Sequence, residues 1–375
     1  MKLILPFLIL FSLNSFAEVI DIFSFTKETN TGYRIPALIT SKKGTLLAFC
    51  ERRKGLHDHA ENDIVLRRSF DHGKTWQDLQ VIHDDGGNSL NDPCALTLKS
   101  GRILLIYQRF PKGVHARNSG HTVMAENGYD GPKNTRTYLT FSDDDGASWS
   151  VPEDISRQAR RKDRISIGSP GQGIQLTRGK YKGRVIFPLY ETRRIDAKNR
   201  DWSSSCLYSD DNGKTWQLSN ILPHPEGVKG HANEAQIVET SEGVLFNARN
   251  QGGLAYRKVS RSIDGGKSWS KITLDKQLPG VRCMGSILRY SWAGENSQSI
   301  IIYAGPASQK SRKEGTLRLS YDEGQNWTKK LLLKAPYFGY SCMTKTSDGK
   351  IGLLYETEGC RKISFTTISL EQFSE

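Results

Sequence analysis

Short runs of apolar and β-branched residues alternate with clusters of Gly, Ser, Asp and Lys along nearly the whole chain. Residues 34–40 and 45–52, for example, flank the polar stretch 41–44, and the runs 63–69 and 77–83 follow. Short runs with this punctuation predict β-strands connected by hairpins. Together these runs predict one unit of four antiparallel strands.

The same four-strand pattern returns along the chain. The runs of the second to fifth predicted units are 93–98, 102–109, 136–142 and a short strand after Trp149; 173–176, 184–190, 204–209 and 217–222; 235–239, 244–249, 256–262 and 270–274; and 284–290, 299–305, 315–320 and 328–333. A sixth unit has three runs, at 340–346, 351–356 and 362–370, and residues 19–25 supply its fourth strand from the other end of the chain.

An eight-residue motif follows the third strand in five of these units. It occupies residues 69–76, 142–149, 209–216, 262–269 and 320–327, with Ser, Asp, Gly and Trp at the same offsets each time. The Asp carboxylate suits a tight turn because it accepts backbone N–H bonds, and Gly tolerates the positive φ that such a turn requires. Five copies in register indicate a repeat architecture, with Trp as the apolar anchor of each turn.

Six units of four strands, the last closed by pairing of the two chain ends, predict an all-β, six-bladed β-propeller of four-stranded antiparallel blades. Residues 18–375 are expected to form this single domain. The repeats are longer than those of compact propellers, so the surplus is expected in loops, where function tends to lie. The longest predicted loops are residues 111–135 and 192–203.

The N-terminus has the order of features found in a secretory signal peptide. Lys2 precedes an apolar run over residues 3–13, and residues 15–17 form a small-residue cleavage site before Glu18. The apolar run is too short to span a membrane comfortably, so no stable membrane insertion is expected. We predict cleavage after Ala17 and a secreted or periplasmic protein.

The net charge of +13 at pH 7 favours approach to acidic glycans or anionic surfaces, although a basic, solvated surface gives the same composition. One local basic cluster lacks interleaved aromatic residues: Arg157, Arg160, Arg161, Lys162 and Arg164. We interpret this cluster as an exposed loop or helix end, and we expect no nucleic-acid partner.

Six cysteines remain after export into a compartment that permits disulfides: Cys50, Cys94, Cys206, Cys283, Cys342 and Cys360. Because a chain of this length can build its own core, we expect buried thiols, with Cys342 and Cys360 as the pair for one bridge. His57 and His59 beside Asp58 are a weak metal signal by themselves.

Charged residues and a tyrosine gather at one edge of the predicted blades. In a four-stranded antiparallel meander, the start of strand one, the end of strand two and the start of strand three share one edge, opposite the turn that joins strands three and four. The residues at the shared edge are Arg34, Asp58, Asp92, Glu234, Arg249, Arg312, Tyr340 and Glu356. Each has an ordinary explanation as an ion pair, cap or rim residue, but three arginines together are typical of a site for a planar anion such as a carboxylate.

These residues lie in motifs that resemble the catalytic domains of bacterial and animal sialidases (exo-α-sialidases, or neuraminidases). The motifs are Tyr33-Arg34-Ile35-Pro36, the five Asp-box (BNR repeat) turns, Asn247-Ala248-Arg249, Tyr340-Ser341 and Leu354-Tyr355-Glu356. The resemblance covers essentially the whole chain after residue 17. Asp boxes also occur in other propellers, whereas the Arg-Ile-Pro motif with Arg, Glu and Tyr in this order is specific.

Carried over position by position, the resemblance implies a binding set for sialic acid. The residues that would hold the sugar carboxylate are Arg34, Arg249, Arg312 and Glu356, which orients Arg34. Arg53 and Asp92 match positions that contact the O4 and N-acetyl side of the sugar.

The resemblance also implies a catalytic set. Tyr340 would be the nucleophile, Glu234 its base partner and Asp58 the acid/base catalyst, with Glu61 and Asp63 as alternatives to Asp58 in the same stretch. A neutral phenol suits this substrate because a carboxylate nucleophile would be repelled by the carboxylate on the anomeric carbon. Sialidases with a Tyr nucleophile depart in this way from the usual pair of carboxylates.

The expected activity is hydrolysis of terminal, α-ketosidically linked sialic acids from glycoproteins, glycolipids or oligosaccharides, with retention of configuration. Two alternatives stay open: transfer of the sialic acid to another acceptor or within the sugar, and binding without chemistry. A lectin would not need Asp58, Glu234 and Tyr340, whereas these residues do not distinguish hydrolysis from transfer. We expect a monomer that requires no metal or cofactor.

Overall fold

The computed structural model describes residues 18–58, 60–116, 122–196, 198–294, 297–333 and 335–373. The predicted signal peptide, residues 1–17, and His59 lie outside the described residues. Nearly all of the regular structure is β-strand, in agreement with the apolar runs of the sequence.

The strands are numbered in chain order. They are β1 Ile20–Ser24, β2 Thr31–Thr40, β3 Leu46–Lys54, β4 Asn62–Ser69, β5 Gln80–His83, β6 Ser89–Thr97, β7 Ile103–Phe110, β8 Val114–His115, β9 Val123–Met124, β10 Arg136–Ser142, β11 Glu153–Asp154, β12 Ile165–Ser166, β13 Gly171–Gln172, β14 Ile174–Gln175, β15 Val185–Arg194, β16 Arg200–Ser209, β17 Gln217–Leu218, β18 His231–Thr240, β19 Gly243–Gln251, β20 Tyr256–Ser262, β21 Thr273–Pro279, β22 Ser286–Ser291, β23 Ile300–Pro306, β24 Gly315–Ser320, β25 Lys329–Leu332, β26 Ser341–Lys345, β27 Ile351–Thr357 and β28 Lys362–Ile368. The helical segments are α1 Ser156–Ala159 and two 3-10 turns, Glu358–Cys360 and Leu370–Gln372.

Within the described part of the chain, the strands form six four-stranded antiparallel blades around a central axis. From the axis outwards the blades are β2-β3-β4-β5, β6-β7-β10-β11, β14-β15-β16-β17, β18-β19-β20-β21, β22-β23-β24-β25 and β26-β27-β28-β1. A single parallel residue pair, Asn62 with Ser89, joins the first two blades. The short strand β13 pairs with β6 and also contacts β2, β18 and β26, so it lies at the centre of the ring. The predicted propeller is confirmed.

The two chain ends close the ring. β1 pairs antiparallel with β28, from Ile20 opposite Phe365 to Ser24 opposite Lys362. The N-terminal strand therefore completes the sixth blade, as the sequence predicts.

Hydrophobic side chains fill the spaces between neighbouring blades. Six clusters among the described residues each join two adjacent blades. In one of them Leu38 of β2 packs with Leu354 of β27 and Phe365 of β28, which joins the first blade to the last. Because both faces of a blade are buried in this way, the strands appear in the sequence as nearly continuous apolar runs.

The Asp-box turns are held by the hydrogen bonds that their sequence predicts. In the first copy the Asp71 carboxylate accepts from the Thr75 backbone N–H at 2.9 Å and from the Thr75 and Ser69 hydroxyls at 2.6 and 2.8 Å. Burial opposes ionisation of Asp71, but these hydrogen bonds together outweigh it and lower the pKa of Asp71 to about 2. The carboxylate therefore stays ionised and organises the turn at neutral pH.

Glycine is required in this turn for two reasons. Gly73 has a φ of 90°, and a Cβ at this position would lie 2.0 Å from Cε1 of Phe365 in the last blade. The residue before it, His72, also has a positive φ, of 62°, which the sequence does not predict. The Trp76 ring meets the Phe365 ring edge-on at a centroid distance of 5.2 Å, so the turn also contributes to the contact between blades.

The basic cluster at residues 157–164 differs in part from its interpretation as an exposed segment. It follows α1 as a helix end, but Arg160 and Arg164 are buried. Arg160 donates to the Thr135 hydroxyl at 2.8 Å, and Arg164 donates to Asp201 at 3.1 Å. The prediction of an exposed loop or helix end therefore holds for Arg157 and Lys162, which are exposed. It is wrong for Arg160 and Arg164, because these guanidiniums find polar partners inside the protein.

All six cysteines are buried and free, so the prediction of buried thiols is confirmed and the bridge between Cys342 and Cys360 is wrong. The Cys342 thiol faces the Leu38 carbonyl at 3.6 Å, whereas Cys360 Sγ lies 2.9 Å from the Tyr337 hydroxyl. The two sulfur atoms therefore have separate partners in the last blade.

The predicted loop at residues 192–203 is mostly a hairpin. β15 and β16 continue to pair as far as Arg194 opposite Arg200, and β12 pairs alongside at Thr192. Because many residues in this extension are polar, no apolar run in the sequence predicts its strands.

No helix in the described ranges is long and apolar enough to cross a membrane.

Candidate active site

Irregular pairing at one end of three inner strands directs predicted site residues towards the axis. The register shifts just after Arg34 in β2, around Asp92 in β6 and around Glu234 in β18. Ile35 and Asp92 have positive φ values of 62° and 57°. This conformation is uncommon for any residue other than Gly, and it is rarest for a β-branched residue such as Ile35. β-bulges re-aim side chains, and strain of this kind is concentrated at functional sites.

A cavity of about 200 Å³ opens at this end of the axis. It is lined by eight of the nine predicted site residues: Arg34, Arg53, Asp58, Asp92, Glu234, Arg249, Arg312 and Tyr340. The ninth, Glu356, is fully buried beneath Arg34. The shared strand edge predicted from the sequence is therefore the wall of one cavity, and the Asp-box turns lie at the opposite end of the blades.

Glu356 fixes the first arginine. The Arg34 Nε and Nη2 atoms donate to its two carboxylate oxygens at 2.8 and 3.3 Å, and the backbone N–H groups of Ile35 and Tyr340 donate to them at 3.1 Å. Burial opposes ionisation, but the charge and hydrogen bonds of Arg34 outweigh it and lower the pKa of Glu356 to about 2. The carboxylate thus ties the first blade to the last.

Three guanidinium groups surround the ring of Tyr340. Those of Arg34 and Arg312 lie 5.8 and 5.1 Å from its centre, and Arg249 Nη1 donates to its hydroxyl at 2.6 Å. The three arginines come from blades one, four and five. Their N–H groups converge in a geometry suited to a planar carboxylate.

The hydroxyl of Tyr340 is paired with a carboxylate. It donates to Glu234 Oε1 at 2.5 Å, while Arg249 Nη1 donates to Glu234 Oε2 at 2.6 Å. Tyr340 is only 4% exposed, and burial raises the pKa of its phenol well above the ordinary value, although Arg249 opposes the shift. The phenol is therefore neutral at physiological pH, with its proton directed at a base.

Asp58 stands at the mouth of the cavity, with 60% of its side chain exposed. It accepts from Arg53 Nη1 at 2.7 Å, and Arg34 Nη1 lies 3.5 Å away. Partial burial opposes ionisation, but the charges of Arg53 and Arg34 outweigh it and hold the pKa of Asp58 well below its usual range. Of the two alternatives in this stretch, Asp63 pairs with Arg52 at 2.6 Å, and neither Asp63 nor Glu61 lines the cavity.

The sequence reasoning missed Glu51, which organises one side of the site. Its fully buried carboxylate accepts from Arg53 Nε at 2.7 Å, from the Asn62 side chain at 3.4 Å and from the Asp92 backbone N–H at 2.7 Å. Burial, together with the Glu51 and Glu234 carboxylates, raises the pKa of Asp92 well above its ordinary value. The signal in the sequence was an acid two residues before Arg53, on the same face of a buried strand.

Neutral side chains that the sequence reasoning also missed position the other arginines. The Gln251 side-chain oxygen accepts from Arg249 Nε at 2.9 Å and Nη2 at 2.6 Å. The Tyr337 hydroxyl lies 3.5 Å from Arg312 Nη1, and it contacts Cys360 Sγ at 2.9 Å. The Tyr337 contact joins residues 25 apart in sequence, whereas Gln251 lies two residues after Arg249 on the same strand.

Aromatic and aliphatic residues also line the cavity. Phe110, Ile167, Tyr190 and Trp202 line it, and Trp202 stacks on His231 with ring centroids 4.7 Å apart. Trp202 belongs to the hairpin extension formed by β15 and β16. The segment interpreted as a loop therefore reaches the site, but as paired strand.

Residues 44–353 match a protein family described as BNR repeat-like domain. A sialidase of Micromonospora viridifaciens is 32% identical over 343 residues, which cover 88% of this chain and 50% of that protein. A sialidase of Bacteroides fragilis is 30% identical over 351 residues, covering 88% and 61%. A sialidase of Paraclostridium sordellii is 28% identical over 370 residues, covering 89% and 85%. The chain spans about half the length of the first of these relatives.

Solved structures show the same fold. A Hadza microbial sialidase superposes with a TM-score of 0.79 at 24% identity, covering 94% of this chain and 69% of that one. The intramolecular trans-sialidase from Ruminococcus gnavus, solved with oseltamivir carboxylate, gives a TM-score of 0.77 at 20% identity, covering 94% and 98%.

Proposed function

We propose that this chain, which belongs to the BNR-repeat family of sialidases, is an exo-α-sialidase that releases terminal sialic acids from glycoconjugates. The observation that carries the proposal is the 2.5 Å hydrogen bond from Tyr340 to Glu234, inside a ring of three arginines. A buried phenol in contact with a carboxylate has a base in place to remove its proton. The arginines supply the binding site for a substrate carboxylate.

The arginines orient the substrate for attack. In a sialoside the carboxylate is attached to the anomeric carbon, so its capture by Arg34, Arg249 and Arg312 brings that carbon next to Tyr340. Arg249 enforces this closeness, since its Nη1 atom lies 2.6 Å from the Tyr340 hydroxyl. In this orientation Arg53 and Asp92 are proposed to contact the O4 and N-acetyl side of the sugar.

The first step forms a covalent bond between the sugar and tyrosine. Tyr340 Oη attacks the anomeric carbon as the bond to the leaving oxygen breaks, and Glu234 takes the phenolic proton. Asp58 gives a proton to the leaving oxygen at the open side of the cavity. In the second step Asp58 removes a proton from water, which attacks the same carbon, and Tyr340 leaves and regains its proton from Glu234. Two displacements retain the configuration.

Substrate binding helps Asp58 to take up, from solvent, the proton that it donates in the first step. With Arg53 and Arg34 beside it, Asp58 is ionised at neutral pH. A bound substrate adds a carboxylate next to Arg34, and this negative charge raises the pKa of Asp58. The proposed reaction therefore favours mildly acidic conditions, in which the occupied site takes up a proton.

Hydrolysis of a fluorogenic sialoside by the purified full chain tests the proposal. We expect release by the native protein and a roughly thousandfold lower kcat for Tyr340→Phe, which keeps the ring but loses the nucleophilic oxygen. Asp58→Ala is the second variant, and melting temperatures control for folding. No release by the native protein together with tight binding of sialic acid contradicts the enzyme and favours a lectin. Analysis of the released sugar separates hydrolysis from transfer.

We also propose that the protein acts outside the cytoplasm, in a periplasm or the medium, as a monomer. Residues 1–17 support export through their charge, apolar run and cleavage site. N-terminal sequencing of the exported protein should begin at Glu18, and light scattering should give the mass of one chain. A retained N-terminus would contradict the proposed export, and the mass of a dimer would contradict the proposed monomer.

A further inference from the structure

A second cavity opens at the other end of the propeller axis, beside the hairpins that join strands one and two. Its volume is about 970 Å³, and Thr40, Thr97 and Tyr290 at the ends of inner strands contribute to its wall. Gln172 of the central strand β13 also lines it and donates to the Met343 carbonyl at 2.5 Å. This cavity is separate from the candidate active site, with which it shares no lining residue.

Basic side chains surround this second cavity. Lys42, Lys99 and Lys182 line it from the first three blades, and Arg178 projects beside them. All four are exposed, and none has its charged group within 4.0 Å of a carboxylate in the described ranges. We refer to these four residues as the cationic mouth.

Two carboxylates lie near the cationic mouth, and they offset only part of its charge. Glu239 accepts from the backbone N–H groups of Thr177 and Arg178 at 2.9 to 3.0 Å. Glu323 accepts from Arg289 at 3.2 Å and from the Ser241 backbone at 2.9 Å. Glu323 thus pairs with Arg289, and Glu239 is a single acidic side chain beside four cations, so the mouth is net positive.

Aromatic rings hold cations of this region without cancelling their charge. The guanidinium carbon of Arg178 lies 4.2 Å from the centre of the Trp292 ring, and that of Arg289 lies 4.1 Å from it. Lys345 Nζ lies 4.3 Å from the Tyr290 ring. Such cation–π contacts orient the side chains. In the described ranges the Arg178 guanidinium keeps its N–H donors available for an anion, whereas those of Arg289 donate to Glu323, Ser299 and the Glu239 carbonyl.

We propose that the cationic mouth is a second, non-catalytic binding site for an acidic polysaccharide that carries carboxylate or sulfate groups on successive sugars. Cations from separate blades match a chain of repeated anionic groups better than a single small anion. A nucleic-acid site would also stack bases on free aromatic faces, but Trp292 and Tyr290 already contact cations. Because the two mouths lie at opposite ends of the axis, a polysaccharide bound here leaves the catalytic cavity open.

The test measures binding of a fluorescein-labelled heparin decasaccharide to the full chain by anisotropy at physiological ionic strength. The double variant Lys42→Glu/Lys182→Glu should bind roughly tenfold more weakly, or worse, and show a shallower salt dependence. The control Lys276→Glu/Lys330→Glu makes the same charge change at exposed lysines on the outer strands β21 and β25. It should bind within about twofold of the native protein.

Each contrary result overturns the proposal. The proposal is wrong if the native protein does not bind heparin. It is also wrong if both double variants bind equally weakly, because binding then depends only on the net charge of the protein. Tighter binding of a single-stranded DNA of matched charge overturns the choice of polysaccharide. Melting temperatures check folding, and Lys42→Gln/Lys182→Gln repeats the test without charge reversal. Heparin contains no sialic acid, so these outcomes do not depend on the proposed sialidase activity.

Discussion

A variant of Asp58 tests acid catalysis apart from substrate binding, because the Asp58 side chain is exposed and forms salt bridges with Arg53 and Arg34. Asp58→Ala should lower kcat/KM roughly 10²- to 10⁴-fold for a sialoside with a sugar leaving group. With a nitrophenyl leaving group, which departs without protonation, kcat/KM should stay near the native value. Steady-state kinetics on the two substrates measure the difference. An equal loss on both would contradict the role of Asp58 as the acid.

The side chains with strong chemical character were predictable from the sequence. Arg34, Arg249 and Tyr340 occur in motifs, and strand topology alone places them at one edge. Glu51 and Gln251 were missed although each lies two residues from the arginine that it contacts, because neither belongs to a motif. Only the contact of Glu51 with the Asp92 backbone needed the tertiary fold. The direction of the pKa shift at Asp92 also needed the structure, since it arises from burial beside two other carboxylates.

The Asp-box turn is a scaffold element, remote from the catalytic cavity. Asp71→Ala removes three short hydrogen bonds and should lower the free energy of unfolding by about 1–3 kcal/mol. Trp76→Ala removes the ring contact with Phe365 and should cost roughly 2–4 kcal/mol. Thermal melts and sialoside kinetics measure both properties.

The matched control for these variants is Asp78→Ala, an exposed acid just beyond the same turn. It should change neither stability nor kinetics. If Asp71→Ala reduced turnover at an unchanged melting temperature, the separation of scaffold and site would be wrong.

Repetition made the blades predictable. Each strand run is short and ambiguous by itself, but five Asp boxes in register identify the third and fourth strands of each unit. The hairpin extension of β15 and β16 escaped prediction, because it repeats in no other blade and contains several charged residues. Trp202, which lines the cavity, therefore lies in a segment that the sequence analysis interpreted as a loop.

Closure of the whole propeller depends in part on one buried ion pair, between Arg34 of the first blade and Glu356 of the last. The pKa of Glu356 falls from 4.5 to about 2 on folding, so its carboxylate stabilises the native state above pH 4.5, and this contribution disappears as the pH falls towards 2. The contribution at neutral pH is roughly 3 kcal/mol. Urea unfolding from pH 7 to pH 2 should show this loss.

Glu356→Gln keeps the side-chain shape and removes the titration. The variant should be less stable at neutral pH and should lose less stability between pH 4.5 and pH 2 than the native protein. An identical pH dependence in the two proteins would assign acid unfolding to other carboxylates.

The net positive charge of the whole chain predicted anionic partners only in general terms. The structure divides the basic residues between an arginine-lined catalytic cavity and the cationic mouth at the other end, and it buries others, such as Arg160, inside the protein. Composition cannot make this division, because it depends on which cations find carboxylates after folding.

The stereochemistry of the first product tests the proposed mechanism most directly. Proton NMR of a sialoside digest, recorded before mutarotation, reports which anomer the enzyme releases. Double displacement through Tyr340 predicts the α-anomer of the free sialic acid as the initial product. Initial appearance of the β-anomer would show a single displacement by water and contradict the role of Tyr340 as the nucleophile.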